Sequence, residues 1–354
     1  MKALDSNSPL VSVVIPIFNV SQYIDRGLQN ILSQQYQNFE IILVDDGSTD
    51  NSGLLCDQWA KENSKIRVFH KKNEGAGSAR NVGIIEAKGE YIYFFDIDDK
   101  ADADLLAYNV QIMEKKKVDY ILFGFRTVMP SLNNTLGEIR FKECEIHSNE
   151  ELKNIYVDTF VLSKHGNGFP WNKFYRRSFL LKHHLLFENQ RIQQDEVFNL
   201  NLYPYLERAY ISPKILYTYY IYDQGNTRVR FIPDRFDIYV SVREHFEKLM
   251  HYWNLNDQCM EDYLDQRFFT GVLQCCCYNL FHKNCYWSNN EKREEIVRIL
   301  NHPYTQKAMA LRSSRNLSYE ERLYLFLINK CLLKELRIVY KTFSLLHYFK
   351  RCIR

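Results

Sequence analysis

The sequence contains no uninterrupted apolar run near the roughly 20 residues that are needed to span a bilayer. Residues 1–9 also lack the basic start and the apolar core of a secretory signal peptide. The nine cysteines follow no regular spacing, which favours reduced, buried thiols over a disulfide framework. We therefore expect a cytoplasmic protein that is soluble or that binds peripherally to the inner face of the cytoplasmic membrane.

Motifs of two large classes of binding protein are also missing. There is no Gly-Lys-Ser/Thr sequence of a phosphate loop, so ATP hydrolysis is unsupported. No zinc-finger, homeodomain or RNA-binding signature occurs, and a net charge of +3 is too small to imply nucleic acid by itself. We expect no nucleic-acid partner. The 46% hydrophobic and 25% charged residues are typical of a globular protein.

The first third of the chain does contain a regular alternation of strand-like and helix-like segments. Apolar runs predict strands at 10–18, 40–44, 66–70, 91–95 and 118–125, with helices between them. This alternation predicts an α/β fold with a mostly parallel sheet that helices cover on both faces. Ligands of such sheets bind outside the carboxyl ends of the strands.

After residue 127 the regular alternation weakens. We predict a short helix at 171–181 and a pair of strands at 209–222 that turns at Ser212-Pro213. The polar, glycine-bearing loop 223–230 is the predicted domain boundary. The predicted domains are 1–230, divided into halves at 1–125 and 126–230, and a helical region at 231–354.

Three carboxylates follow directly after one of the predicted strands. The apolar run 91–95 ends in Asp96, Asp98 and Asp99. Such closely spaced anions are tolerated only where solvent, a cation or basic groups neutralise them. Hard oxygen ligands at a strand end suit Mg²⁺ or Mn²⁺. For an isolated Asp-x-Asp motif, an exposed acidic turn before a helix is the alternative.

Six short motifs extend this pattern along the chain. They are Val-Val-Ile-Pro-Ile-Phe-Asn at 13–19, Ile-Leu-Val-Asp-Asp-Gly-Ser-Thr-Asp at 42–50, Asn-Glu-Gly with Ala-Arg-Asn-Val-Gly within 73–83, Gly-Glu-Tyr-Ile with Asp-Ile-Asp-Asp within 89–99, Trp-Asn-Lys-Phe-Tyr-Arg at 171–176 and Gln-Asp-Glu-Val-Phe at 194–198. In this order the motifs resemble the inverting nucleotide-sugar glycosyltransferases of glycosyltransferase family 2, which have the Rossmann-like GT-A fold. The resemblance covers residues 10–230. One departure is Gln194, which stands where the family usually has Glu.

The resemblance implies a nucleotide-sugar site made of Pro16, Phe18, Asn19, Asp46, Asn73, Gly75, Arg80, Asp96, Ile97 and Asp98. Phe18 would stack on a uracil base and Asp46 would accept its imide N–H, although Asp46 could also be a plain turn residue. Asp98 would ligate Mn²⁺ or Mg²⁺, and Asp96 would reach the ribose or the metal through water. Arg80 would hold the diphosphate or pin the acidic loop, and a structural salt bridge to Asp96 is the alternative.

On the acceptor side the resemblance implies that Asp195 is the general base. The alternative for Asp195 is the N-cap of the helix that follows it. Trp171 would line the acceptor site or lie in the core. Lys173 and Arg228 are further candidates for acceptor or lid residues.

The segment 325–346 has the pattern of a single amphipathic, basic helix. Such a helix would lie on a membrane surface or pack on its own domain with a solvated basic face. The sequence leaves both alternatives open.

The resemblance implies a metal-dependent inverting glycosyltransferase that moves a hexose or N-acetylhexosamine from a UDP-sugar to a saccharide, glycolipid or glycoprotein. The expected products are bacterial surface glycans, namely capsule, lipopolysaccharide or adhesin O-glycans. One alternative is a sugar-nucleotide nucleotidyltransferase, but residues 10–30 lack the glycine-rich loop with Arg and Lys that grips a triphosphate. The other is a catalytically weak nucleotide-sugar-binding or scaffold protein with the same fold. Gln194 weakly favours it, and the retained Asp98 and Asp195 argue against it.

Overall fold

The computed structural model describes residues 8–132, 134–162, 168–222, 231–313 and 317–352. Contacts within the chain divide it into two units, which we call unit 1 (Met1–Asn226) and unit 2 (Thr227–Arg354). Residues 223–230, where the sequence predicts the domain boundary, lie outside the described residues. The domain bounds at residue 230 therefore stay a prediction.

Unit 1 is built on one mixed sheet. Its strands are β1 (Val11–Ile17), β2 (Phe39–Asp45), β3 (Ile66–His70), β4 (Tyr91–Phe94), β5 (Lys100–Ala101), β6 (Tyr120–Met129), β7 (Asn134–Ile139), β8 (Cys144–Ile146), β9 (Lys173–Arg176) and β10 (Ala209–Tyr220). Their order along the sheet is β3-β2-β1-β4-β9-β6-β10-β5, while β7 pairs with β6 and β8 with β10. The β3–β2, β2–β1, β1–β4 and β6–β10 pairs are parallel, and β9 runs antiparallel to β4 and β6.

Helices alternate with the first strands. The helices of unit 1 are α1 (Ser21–Leu32), α2 (Ser52–Glu62), α3 (Ala76–Glu86), α4 (Leu105–Lys116), α5 (Asn149–Tyr156), α6 (Arg177–Lys182) and α7 (Gln194–Leu202). All seven residues of β2 are buried. Because successive side chains of a strand point to opposite faces, β2 is covered on both faces of the sheet. The α/β fold and the mostly parallel sheet that the sequence predicts are confirmed.

Pairing between strands that are distant in sequence corrects two predictions for the second half of unit 1. Residues 173–176, within the predicted helix at 171–181, form β9, which lies between β4 and β6. The predicted pair of strands at 209–222 is one strand, β10, whose register with β6 shifts on both sides of Ile215. Pro213 has no N–H for a ladder hydrogen bond, and this irregularity accommodates it within a continuous strand.

Unit 2 is helical in the described residues. Its helices are α8 (Arg235–Tyr252), α9 (Gln258–Leu273), α10 (Asn289–Asn301), α11 (Pro303–Ser313), α12 (Tyr319–Asn329) and α13 (Leu333–Cys352), and a π-helical segment, Gln274–Asn279, follows α9. The adjacent residues Cys275, Cys276 and Cys277 are buried, unbridged thiols in the core of this unit. They agree with the predicted reduced cysteines.

The prediction of a single helix at 325–346 is wrong, because the helical structure is interrupted between α12 and α13. Cys331 has a φ of 50°, and the N–H groups of Cys331 and Leu332 donate to the carbonyl oxygens of Ile328 (2.9 Å) and Leu327 (3.0 Å). These bonds satisfy the last carbonyl groups of α12 and end it. Leu327 and Ile328, with Leu336 on α13, are buried in the core of unit 2. No helix in the described ranges is both long and apolar enough to cross a membrane.

The close contact between α3 and β1 generates a prediction about stability. A Cβ atom at Gly83 would lie 2.1 Å from Cγ1 of the buried Val14. Because Val14 has few alternative rotamers, Gly83→Ala should lower the free energy of unfolding by about 1–3 kcal/mol. Urea denaturation measures this loss. Gly137→Ala is the control, since nothing lies within 4 Å of a Cβ there; equal stability of the two variants would contradict the close packing.

Candidate active site

The residues that follow β4 form what we call the acidic turn, residues 96–99. The Asp99 N–H donates to the Asp96 carbonyl oxygen (3.0 Å), which closes the turn. Ile97 is buried, and its carbonyl oxygen would lie 2.4 Å from a Cβ at Gly27 on α1. Gly27 therefore permits α1 to approach the backbone of the turn.

Asp99 anchors the acidic turn to β10. Its carboxylate accepts the Tyr217 hydroxyl (2.7 Å) and the Tyr220 N–H (2.8 Å), and its side chain is buried. Burial and the charges of Asp98 and Asp96 raise the pKa of Asp99 well above its ordinary value. Asp99 therefore has a structural role within the motif.

Asp98 is a partly buried residue of the acidic turn. Burial, followed by the charge of Asp96, raises the pKa of Asp98 to about 6, while its own N–H and Arg26 act in the opposite direction. A carboxylate with so little compensation suits a divalent cation. The described residues contain no group of three His, Cys, Asp or Glu side chains that could hold a metal alone. One or two carboxylates suffice, however, where substrate phosphates supply other ligands.

Arg80 joins the acidic turn to α7. Its Nη2 donates to Asp96 Oδ1 (3.0 Å) and its Nη1 to Asp195 Oδ1 (2.7 Å). The arginine side chain is only 4% exposed, and the guanidinium lies 5.5 Å from the ring centre of Phe187. The structure thus contains the salt bridge to Asp96 that the sequence left as an alternative. It also contains a bond to Asp195 that sequence reasoning missed, because no local pattern indicates it.

Asp195 lies in the first turn of α7 and not at its N-cap. The N-cap is Gln193, which has a φ of 60° and no side-chain cap bond. The N-cap alternative for Asp195 is therefore not what the structure shows. The Asp195 side chain is 25% exposed, so it combines the contact with Arg80 with access from solvent.

Phe18 and its neighbours lie at the carboxyl end of β1. Phe18 is 41% exposed, so part of its side chain is accessible to a ligand. The pairing of β1 with β4 ends at Val14, so Pro16 removes no ladder bond on that side. Asn19 has a φ of 53°, and its Oδ1 accepts the Thr49 N–H (2.8 Å). This bond ties the end of β1 to the loop after β2.

Asp46 organises the loop before α3. Its Oδ1 accepts the Lys71 ammonium (2.8 Å) and the Glu74 N–H (3.0 Å), and its Oδ2 accepts the Gly75 N–H (2.7 Å). Gly75 has a φ of 99°, which a residue with a Cβ rarely adopts. Asp46 is therefore more than a plain turn residue.

Asn73 belongs to the same loop and is exposed. A Cβ at Gly47 would lie 2.9 Å from the Asn73 nitrogen, and Gly47 has a φ of 71°. The backbone of the loop after β2 and that of the loop before α3 are thus in close contact at this glycine.

Two of the three residues that the sequence predicts for the acceptor site or lid are buried. Trp171 is 2% exposed and stacks on Tyr217 with ring centres 4.4 Å apart, so it lies in the core. Lys173 is completely buried and donates to the Phe169 carbonyl oxygen and to Asn172 Oδ1 (2.9 Å). Neither side chain is accessible to an acceptor, which corrects that assignment. Arg228 lies outside the described residues.

Sequence comparisons match this chain to a family model and to known proteins. The sequence model of the family described as Glycosyl transferase family 2 matches residues 12–183. The chain is 30% identical over 272 residues to "Uncharacterized glycosyltransferase EpsJ" of Bacillus subtilis, and the match covers 72% of this chain and 73% of EpsJ.

Solved structures show the same fold at low sequence identity. S. aureus TarS 1-349 in complex with UDP-GlcNAc has a TM-score of 0.58 and 19% identity, with 94% of this chain and 91% of that chain covered. The mannosyltransferase PcManGT from Pyrobaculum calidifontis, in complex with GDP-Man and Mn²⁺, has a TM-score of 0.51 and 15% identity, with 96% and 88% covered.

The burial of the Lys173 ammonium group leads us to expect that the free energy of unfolding changes with pH. Burial lowers its pKa from 10.5 to about 7, although the charges of Asp195 and Glu196 act in the opposite direction. Between these pH values the folded protein binds fewer protons at this residue than the unfolded chain, so the contribution of Lys173 to stability rises with pH.

Urea unfolding at pH 7 and pH 9 measures this contribution. Lys173→Met should remove it, so the stability of wild type relative to this variant should rise with a slope of up to about 1.4 kcal/mol per pH unit. Lys182→Met, which removes an exposed lysine of α6, is the control. If the difference between wild type and Lys173→Met does not change with pH, the lowered pKa is contradicted.

Proposed function

Because this chain belongs to glycosyl transferase family 2, we propose that it is a metal-dependent inverting glycosyltransferase that uses a UDP-sugar. The transferred group is a hexose or an N-acetylhexosamine, and the acceptor is a hydroxyl of a saccharide, a glycolipid or a glycoprotein in bacterial surface glycan synthesis. The observation that carries the proposal is the position of Arg80 between Asp96 and Asp195. It brings a carboxylate suited to act as a base next to the acidic turn.

The uridine end of the donor is assigned to Phe18 and Asp46. The exposed ring of Phe18 offers a stacking surface for a base. Asp46 Oδ2 accepts a hydrogen bond from the Gly75 N–H, and a carboxylate oxygen has room for a second. That second position would receive the uracil imide N–H, which requires the loop around Asp46 to admit the base, since this side chain is 3% exposed. The complex of TarS with UDP-GlcNAc, which has the same fold, supports a nucleotide-sugar donor.

The metal is assigned to Asp98, with Asp96 as a ligand through water. Asp98 supplies a carboxylate that its own N–H and Arg26 compensate only in part, and Asp96 is already held by Arg80. A bound Mn²⁺ or Mg²⁺ would offset the negative charge that grows on the leaving diphosphate. PcManGT, which has the same fold, is described with Mn²⁺.

Asp195 is assigned as the general base. Its carboxylate takes the proton of the acceptor hydroxyl while the oxygen of that hydroxyl forms a bond to the anomeric carbon. The bond from this carbon to the diphosphate oxygen breaks, and UDP leaves from the opposite face. This single displacement inverts the anomeric configuration. Arg80 compensates the charge of Asp195 and fixes its orientation before the acceptor binds.

Nucleotide binding should be uridine-specific and metal-assisted. UDP with Mn²⁺ should raise the melting temperature of the protein, since a ligand that binds only the folded state stabilises it. Asp98→Ala should remove most of the part that depends on Mn²⁺. Asp237→Ala, which removes a carboxylate from unit 2, is the control. Equal stabilisation by GDP, or an effect that a chelator does not change, would contradict this assignment.

Replacement of Asp195 should separate chemistry from binding. Asp195→Asn keeps the size of the side chain but cannot accept the proton, so kcat should fall by roughly 10²–10⁴. UDP affinity should stay close to that of wild type, because Asp195 faces the acceptor. Steady-state kinetics and calorimetry measure the two effects, and Glu150→Gln, in the first turn of α5, is the control. Transfer at the wild-type rate by folded Asp195→Asn would place the base elsewhere.

A further inference from the structure

Arg26, on α1, contacts the backbone of the acidic turn. Its Nη2 donates to the Asp98 carbonyl oxygen (2.5 Å) and to the Tyr222 hydroxyl (2.7 Å). The Tyr222 hydroxyl in turn donates to the same Asp98 carbonyl oxygen (2.8 Å). One peptide group of the turn is thus held by two donors, one from α1 and one from the chain just after β10.

Aromatic rings hold the Arg26 guanidinium in place. Its central carbon lies 5.3 Å from the ring centre of Tyr23 and 5.3 Å from that of Tyr220. The rings of Tyr23 and Tyr222 are also in contact, with centres 5.1 Å apart. An arginine between aromatic rings has fewer conformations open to it, so its hydrogen bonds direct the turn more firmly.

The same stretch of chain also fixes Asp99. Tyr217 and the Tyr220 N–H bind the Asp99 carboxylate, so the end of β10 holds the turn at two points. Neither of these contacts acts on the peptide of Asp98. The carbonyl oxygen of that peptide is held by Arg26 and Tyr222, and the position of the peptide influences the direction from which the Asp98 side chain leaves the backbone.

We propose that Arg26 is a positioning residue of the transfer reaction, which fixes the Asp98 peptide so that the Asp98 carboxylate is preorganised for the metal–diphosphate group of the donor. This inference rests on the proposed function. Arg26 acts through its hydrogen bond to the Asp98 carbonyl oxygen. Residues that orient a metal ligand in this way typically change metal affinity or activity by about 10–100-fold when they are replaced.

Calorimetry of UDP binding in the presence and absence of Mn²⁺ is the first test. Arg26→Gln should weaken the Mn²⁺-dependent part of UDP affinity by roughly 10-fold or more, with UDP binding in the absence of Mn²⁺ close to that of wild type. Tyr222→Phe keeps the ring but removes the hydroxyl, and it should show a smaller loss. Arg26→Lys keeps the positive charge and should recover part of the Mn²⁺-dependent UDP affinity that Arg26→Gln loses. Arg140→Gln, an exposed arginine that pairs with Glu138, is the control and should bind as wild type does.

Kinetics distinguish positioning from a general structural role. In Arg26→Gln the Mn²⁺ concentration at half-maximal rate should rise, and kcat at saturating Mn²⁺ should recover most of its wild-type value. An equal loss of kcat at every Mn²⁺ concentration would overturn the proposal. So would Mn²⁺-dependent UDP affinity in Arg26→Gln equal to that of wild type.

Hydrogen exchange of the free protein separates this inference from the proposed function. Amide exchange in the segment that contains residues 96–101 should be faster in Arg26→Gln than in wild type or Arg140→Gln, because the turn has lost a restraint. Unchanged exchange there would overturn the role of Arg26. If wild type shows no Mn²⁺-dependent UDP binding while the variant still exchanges faster, Arg26 does hold the turn, but its link to the metal fails together with the proposed metal dependence.

Discussion

The two hydrogen bonds from Arg80 are the constraint on which the candidate site depends. They join carboxylates that lie 16 and 115 positions away from it along the chain. A buried guanidinium is stable only with its negative partners, and each carboxylate so close to another needs the positive charge. Arg80 on α3, Asp96 in the acidic turn and Asp195 on α7 are therefore interdependent. The fold places these three elements at the edge where the parallel strands end.

The three carboxylates of the acidic turn have similar chemistry and different environments. Asp96 is paired with Arg80, and Asp99 is buried against Tyr217. Burial and the charge of Asp96 raise the pKa of Asp98. One motif thus provides a partner for the buried arginine, an anchor to β10 and the carboxylate that we propose as a metal ligand. Arg26 adds a second cation, bound to the backbone of the turn. All three residues are aspartates, so their different roles follow from their different surroundings.

The sequence predicted what depends on local pattern and missed what depends on distant pairing. The apolar runs correctly predicted β1 to β4, and acidic residues follow the ends of β2 and β4. The insertion of β9, the continuity of β10 through Pro213 and the break at Cys331 follow from contacts between segments that are remote in sequence or from a single backbone angle. The bond between Arg80 and Asp195 is of the same kind. Burial likewise decided that Trp171 and Lys173 belong to the core, since their motif alone is compatible with an exposed site.

In the proposed reaction, Asp195, held by Arg80 beside the acidic turn, removes a proton while the acceptor attacks opposite the diphosphate. The most direct test is the anomeric configuration of the product, measured by NMR after transfer from an α-linked UDP-sugar. The proposed geometry predicts a β-configured glycoside as the initial product. An α-configured product would contradict single displacement at this site and the role of Asp195 as its base.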